Sequence, residues 1–167
     1  MSYYIAIPLL FLLALTEAVV EPMFRVAGLQ PNLVLVMLTV WLIVRGQNEA
    51  FVLIPAGGLF LGLVDGAPMG TALLALAPLA LLQDVRGSQL REGGLVTALI
   101  FVVLMTFAYH FVYLGIFVLR GEAGSGMLTA VTRVVIPTAL LNAIVLVPLY
   151  WIVNIFSGEL RRPAYYT

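Results

Sequence analysis

The side chains that ordinarily do chemistry are few and widely spread over the 167 residues of this chain. His110 is the single histidine, with Tyr109 and Tyr113 beside it. A lone imidazole without a neighbouring Asp, Glu or Cys makes a poor metal site, and a satisfied or interface histidine is the expected reading. Cysteine is absent, which removes disulfides, thiolate ligands and thiol nucleophiles together. There is no His-Glu-x-x-His, no Gly-x-Ser-x-Gly, no phosphate loop ending in Lys and no pair of intramembrane aspartates. Neither catalysis nor a cofactor or metal is therefore expected.

The charges that remain are of interest for contact. Glu17, Glu21, Glu122 and Arg133 fall toward one membrane face, and an embedded arginine is tolerable when it is paired or snorkels. Arg133 is expected to pair with Glu17 or Asp65, tying the last helix to the first or third. Asp65 is read as the N-cap of the helix that follows it, with a substrate or proton site as the alternative. Asn142 and Asn154, with Thr129, Thr132 and Thr138, form a polar stripe of the kind that joins membrane helices. Pro137 and Pro148 are expected to kink the helix that carries this stripe.

The elements that must position these residues are apolar throughout. Hydrophobic residues make up 63% of the chain and charged ones 10%, and the mean hydropathy is +1.12; soluble domains carry about a quarter charged residues. Eight Arg balance eight Asp and Glu with no Lys, so a nucleic-acid footprint is excluded. The N-terminus has no basic region or small-residue cleavage site and reads as a retained first helix. Six apolar stretches are separated by Gly, Pro, Arg and carboxylate clusters, at about 3–20, 33–44, 50–64, 69–82, 95–119 and 129–156. Backbone groups in lipid must pair internally, so these stretches predict an all-α polytopic fold of about six transmembrane helices, a single transmembrane domain over 1–167. The third and fourth are short for a bilayer crossing.

Arginine placement gives an orientation. With six crossings, Arg45, Arg86, Arg91, Arg161 and Arg162 lie on one side and Arg25, Arg120 and Arg133 on the other, which makes both termini cytoplasmic. Tyr3, Tyr4, Trp41, Tyr150 and Trp151 suit interfacial belts. The most patterned stretch runs from Gly58 through Gly62, Asp65, Gly66 and Pro68 to Gly70. Gly58 and Gly62 share a helix face that admits another backbone, read chiefly as internal packing with a partner-facing groove as the alternative. Gly66, Pro68 and Gly70 predict a tight helix–turn–helix link.

In this order the features resemble a bacterial family, the rod shape-determining protein MreD. Members typically have a loop closing on Pro-Asp before an apolar helix that contains Tyr-Trp, then a Gly-rich helix ending in Leu-x-x-Asp with Gly, Pro, Leu and Gly following. The matching residues here are Gln30-Pro31-Asn32-Leu33-Val34-Leu35, Val40-Trp41 and the block from Gly58 to Gly70, and the resemblance is best over 30–80. Asn32 stands where the family usually has Asp, and Val40 where Tyr often precedes Trp.

The resemblance implies a non-enzymatic scaffold of the cell-elongation machinery in the bacterial inner membrane. Its implied partners are the single-pass protein MreC, the peptidoglycan polymerase RodA with its class B penicillin-binding transpeptidase, and the actin-like MreB. Pro31, Asn32, Trp41, Gly58, Gly62, Asp65, Gly66, Pro68 and Gly70 are the structural or partner-contact candidates. The family is also similar in fold to the substrate-binding subunits of energy-coupling-factor transporters, which supplies the rival reading of a small-solute, vitamin-like binding subunit. That rival calls for an alanine ladder on the first helix, where Leu10 separates Ala6 from Ala14 and Ala18, and for a polar pocket, for which His110, Asn142 and Tyr109 are the available set.

Overall fold

The computed structural model describes residues 3–20, 29–45, 47–64, 68, 70–81, 94–121, 129 and 131–159. Six α-helices run through them: α1 Tyr3–Val20, α2 Leu33–Arg45, α3 Gln47–Val64, α4 Thr71–Leu81, α5 Gly94–Leu119 and α6 Ile136–Glu159. A π-helical turn, Val131–Val135, leads into α6. No strand occurs among the described residues. Helix ends fall within about three residues of those expected from hydropathy, except that the last α-helix begins at Ile136 rather than near 129. The π-turn has a local cause. Pro137 carries no N–H to return to the Arg133 carbonyl, and a wider turn accommodates that loss.

α2 is the core of the bundle. Ten consecutive residues, Val34 to Ile43, are buried, so this helix is enclosed on every side by α1, α3, α5 and α6. α1 lies mainly on α3, α3 on α4, and α4 on α5. One cluster of buried apolar side chains draws on all six helices. At 1.5 Å per residue α2 and α4 are only about 20 and 17 Å long, whereas α5 is about 39 Å, against a hydrocarbon core of about 30 Å. Gly94–Leu119 and Val131–Ile155 are long and apolar enough to cross a membrane, and the remaining apolar helices are shorter.

Every helix except α2 turns large apolar side chains outward, among them Leu12, Leu59, Leu74, Leu104 and Ile144. An apolar surface spread over five helices is far larger than the patches that water-soluble monomers tolerate, and it suits a lipid surround. α1 shows how the two faces divide: Ala6, Leu10, Ala14 and Glu17 are buried at spacings of three or four residues, while Ile5, Leu12 and Val19 face out.

Candidate functional site

The polar side chains gather at the two ends of α2, and its length explains the first gathering. A helix about 20 Å long that is enclosed by its neighbours begins inside the protein, where its leading N–H groups have no water to bind. Asn32 caps it: Asn32 Oδ1 accepts from the Leu35 N–H at 2.7 Å, and the Asn32 carbonyl accepts from Val36 N–H at 3.1 Å. The Asn32 N–H in turn donates to Asn142 Oδ1 on α6 at 2.8 Å. Asn142 Nδ2 donates to Thr106 Oγ1 on α5 at 2.9 Å, and that hydroxyl donates to the Val102 carbonyl at 2.7 Å. Asn32, Thr106 and Asn142 are all buried, the last two completely.

This chain of donors and acceptors runs in one direction and fastens α2, α5 and α6 together. It also fixes the Asn142 amide orientation, because the oxygen must face the Asn32 N–H and the nitrogen the Thr106 hydroxyl. One turn along α5, His110 Nδ1 lies 2.8 Å from the Thr106 carbonyl, a contact in which the imidazole donates. Tyr109, Tyr113 and Phe117 stack along the same helix with centroids 5.8 and 5.3 Å apart. The polar stripe expected on the last helix is therefore divided. Asn142 and Thr138 are buried, whereas Thr129, Thr132 and Asn154 are exposed.

The other end of α2 is held by neighbours in sequence. The buried Trp41 donates through Nε1 to Glu49 Oε2 at 3.1 Å. Arg45 Nε stands 3.9 Å from the same oxygen, and the guanidinium lies 5.4 Å from the centroid of the Trp41 ring. Glu49 lies in the first turn of α3, where its charge also complements the helix dipole.

The glycine block is divided as well. A Cβ on Gly58 would come within 2.8 Å of the Leu73 Cα, so this residue lets α3 and α4 meet backbone to backbone, and one on Gly57 would meet Leu38 and Val34 at 3.0 Å. Gly62, one turn beyond Gly58, has nothing within 4 Å of such an atom. Gly70 has φ +89°, a left-handed conformation that favours glycine, and its carbonyl accepts from Leu74 N–H at 2.9 Å as α4 begins. Thr71 N–H donates to the Pro68 carbonyl at 3.0 Å within that turn. Asp65 and Gly66 lie outside the described residues, as do Glu21 and Glu122.

Glu17 is buried against the bundle on α1, which packs on α3 and α2. Arg133 is exposed on the π-turn, which packs on α5 and α6. The structure does not show these two paired, and Asp65, the other expected partner of Arg133, is outside its description. Pro31 precedes the Asn32 cap and is half-buried. Two participants escaped the sequence reading, Thr106 and Glu49. Each had a signal: Thr106 is four residues before His110, and Glu49 is four after Arg45 and eight after Trp41.

The Asn32, Asn142 and Thr106 side chains bond to one another and to the backbone across α2, α5 and α6, so the arrangement binds helices to one another. A family model, that of the rod shape-determining protein MreD, matches residues 1–159. Neither the curated proteins nor the solved structures compared with the chain contain a match, so the expected fold likeness to energy-coupling-factor subunits finds no counterpart among them.

Proposed function

The chain belongs to the MreD family, and from that premise we propose that it is a non-enzymatic scaffold of the cell-elongation complex in the bacterial inner membrane. In this reading its six helices cross the membrane with both termini cytoplasmic. It binds MreC and links MreB to RodA and its class B transpeptidase. The observation that carries the reading is the extent of the family match, 159 of 167 residues. The membrane-capable helices and the outward apolar surface support the setting.

The rival, a small-solute binding subunit, draws less support from the same residues. Asn142 is fully buried with its amide bonded to Asn32 and Thr106, which leaves little of the expected polar set to face a solute. Ala6 and Ala14 are buried against neighbouring helices, so that part of the alanine ladder is not offered to an energising partner.

Photocrosslinking in cells separates the two readings, and the geometry chooses the probes. Gly62 and the exposed Leu59 and Leu63 look outward, whereas Gly58 and Trp41 are enclosed and serve as inward controls. Capture of a single-pass MreC-type protein from the outward positions, and of nothing from the inward ones, is the expected result. Capture of an ATPase-linked coupling subunit, or thermal stabilisation by a vitamin, overturns the scaffold reading.

A further inference from the structure

The outward apolar surface changes height around the bundle. On α3 it runs from Phe51 to Leu63 and on α1 from Ile5 to Val19, which at 1.5 Å per residue is about 18 and 21 Å. On α5 it runs from Val96 to Leu119 and on α6 from Ile136 to Ile155, about 35 and 29 Å. Stagger between α3 and α4 does not make up the difference. Gly58 meets Leu73 backbone to backbone, so eight residues further toward the same end Ala50 and Leu81 lie level, and from there to Val64 the pair covers about 21 Å. Polar residues close these short runs. The partly exposed Arg45–Glu49 pair lies just before Phe51, and in sequence Asp65 follows Val64, Gln83 and Asp84 follow Leu82, and Glu21 follows Val20.

A helix longer than the hydrocarbon core of about 30 Å can tilt until it fits, but tilting only shortens the span of one that is already too short. A short helix is accommodated by snorkelling side chains at its ends or by thinning of the lipid around it. None of α1, α3 and α4 contains a Lys or Arg, so snorkelling is not open to them and the lipid must adjust.

We propose that the α1–α3–α4 side of the protein holds its surrounding bilayer about a third thinner than the α5–α6 side does, and so gathers lipids with short acyl chains. The proposal rests on the membrane-embedded reading above. The full chain has no cysteine, so one can be introduced at each of four outward positions and labelled with bimane: Leu59→Cys and Leu74→Cys on the short side, Leu104→Cys and Leu140→Cys on the tall side. Two positions on each side keep the comparison readable should one variant misfold. Each is reconstituted in vesicles that mix dimyristoleoyl and dierucoyl phosphatidylcholine, with the short or the long lipid brominated in turn. Bimane at Leu59→Cys and Leu74→Cys is expected to be quenched about threefold more by the brominated short lipid than by the long one. At Leu104→Cys and Leu140→Cys the long lipid should quench at least as well as the short.

Equal quenching by the two lipids at Leu59→Cys and Leu74→Cys, or the same short-chain preference at all four positions, overturns the proposal. So does a lack of quenching by either lipid at Leu59→Cys and Leu74→Cys alone, which marks a face covered by a second copy of the chain. Lipid contact at all four positions without a difference in chain length sinks only the thinning, and no quenching at any of them sinks the embedding itself.

Discussion

The two ends of α2 solve the same problem with different partners. At its start, Asn32 is bonded to a residue 110 positions away, and the chain of contacts continues to a third helix. At its finish, Trp41, Arg45 and Glu49 all lie within eight residues of one another. The first end is sealed from solvent and the second is partly open, with Arg45 and Glu49 side chains 17% and 26% exposed. Burial is what makes the difference consequential: an orphaned donor is expensive where water cannot replace its partner and cheap where it can. The first end should therefore govern the fold, and the second should only trim it.

Asn142→Leu is the most direct way to break this contrast. It removes the acceptor of the Asn32 N–H and the donor to Thr106 at once, and is expected to destabilise the chain by about 3 kcal/mol, measured by unfolding in mixed micelles. Coupling measured in a double-mutant cycle with Thr106→Val should exceed the roughly 0.6 kcal/mol average of membrane hydrogen bonds. Independent, additive effects would mean that the three helices are not fastened through this network.

Gly58→Val is expected to cost about 2 kcal/mol, because its Cβ meets the Leu73 backbone and α3 must move away from α4. Gly62→Val provides the matched control, with a change of about 0.5 kcal/mol or less where the space is open. If Gly62→Val leaves stability intact but abolishes rod shape in cells, that glycine faces a partner. If both variants behave alike, the division of the glycine face is wrong.

Asn32→Ala removes the cap of α2 and is expected to cost about 1 kcal/mol by thermal unfolding, less than Asn142→Leu because the Asn32 N–H keeps its acceptor. A cost equal to that of Asn142→Leu would move the weight of the network from the α6 residue to the cap.

Much of this architecture was legible in the sequence because hydropathy alone marks where water is excluded. The helix spans followed from it, and Pro137 marked the disturbed start of α6. The individual contacts were less legible. Asn32 stood out through the Pro31-Asn32 pattern, and Asn142 as one member of a polar stripe, but nothing in their spacing joined residues 110 apart. Thr106 was hidden because a threonine in an apolar helix satisfies its own hydroxyl on the preceding turn, as Thr39 and Thr106 both do. Gly58 and Gly62 were indistinguishable by spacing, and only the position of Leu73 separates them.

The smallest expected effect sharpens the contrast from the other side. Glu49→Gln keeps an oxygen that accepts from Trp41 Nε1 and removes only the charge facing Arg45. At 3.9 Å and partly in solvent, that pair is expected to contribute about 0.3–0.5 kcal/mol. Raising salt should lower the stability of the parent by a similar amount and leave Glu49→Gln unchanged, because screening and substitution remove the same interaction. Salt should not affect Asn142→Leu differently from the parent, since the bonds lost there join neutral groups. A loss in Glu49→Gln approaching that of Asn142→Leu would show instead that the Trp41–Arg45–Glu49 cluster is sealed in the native membrane, and would make the finish of α2 as decisive for the fold as its start.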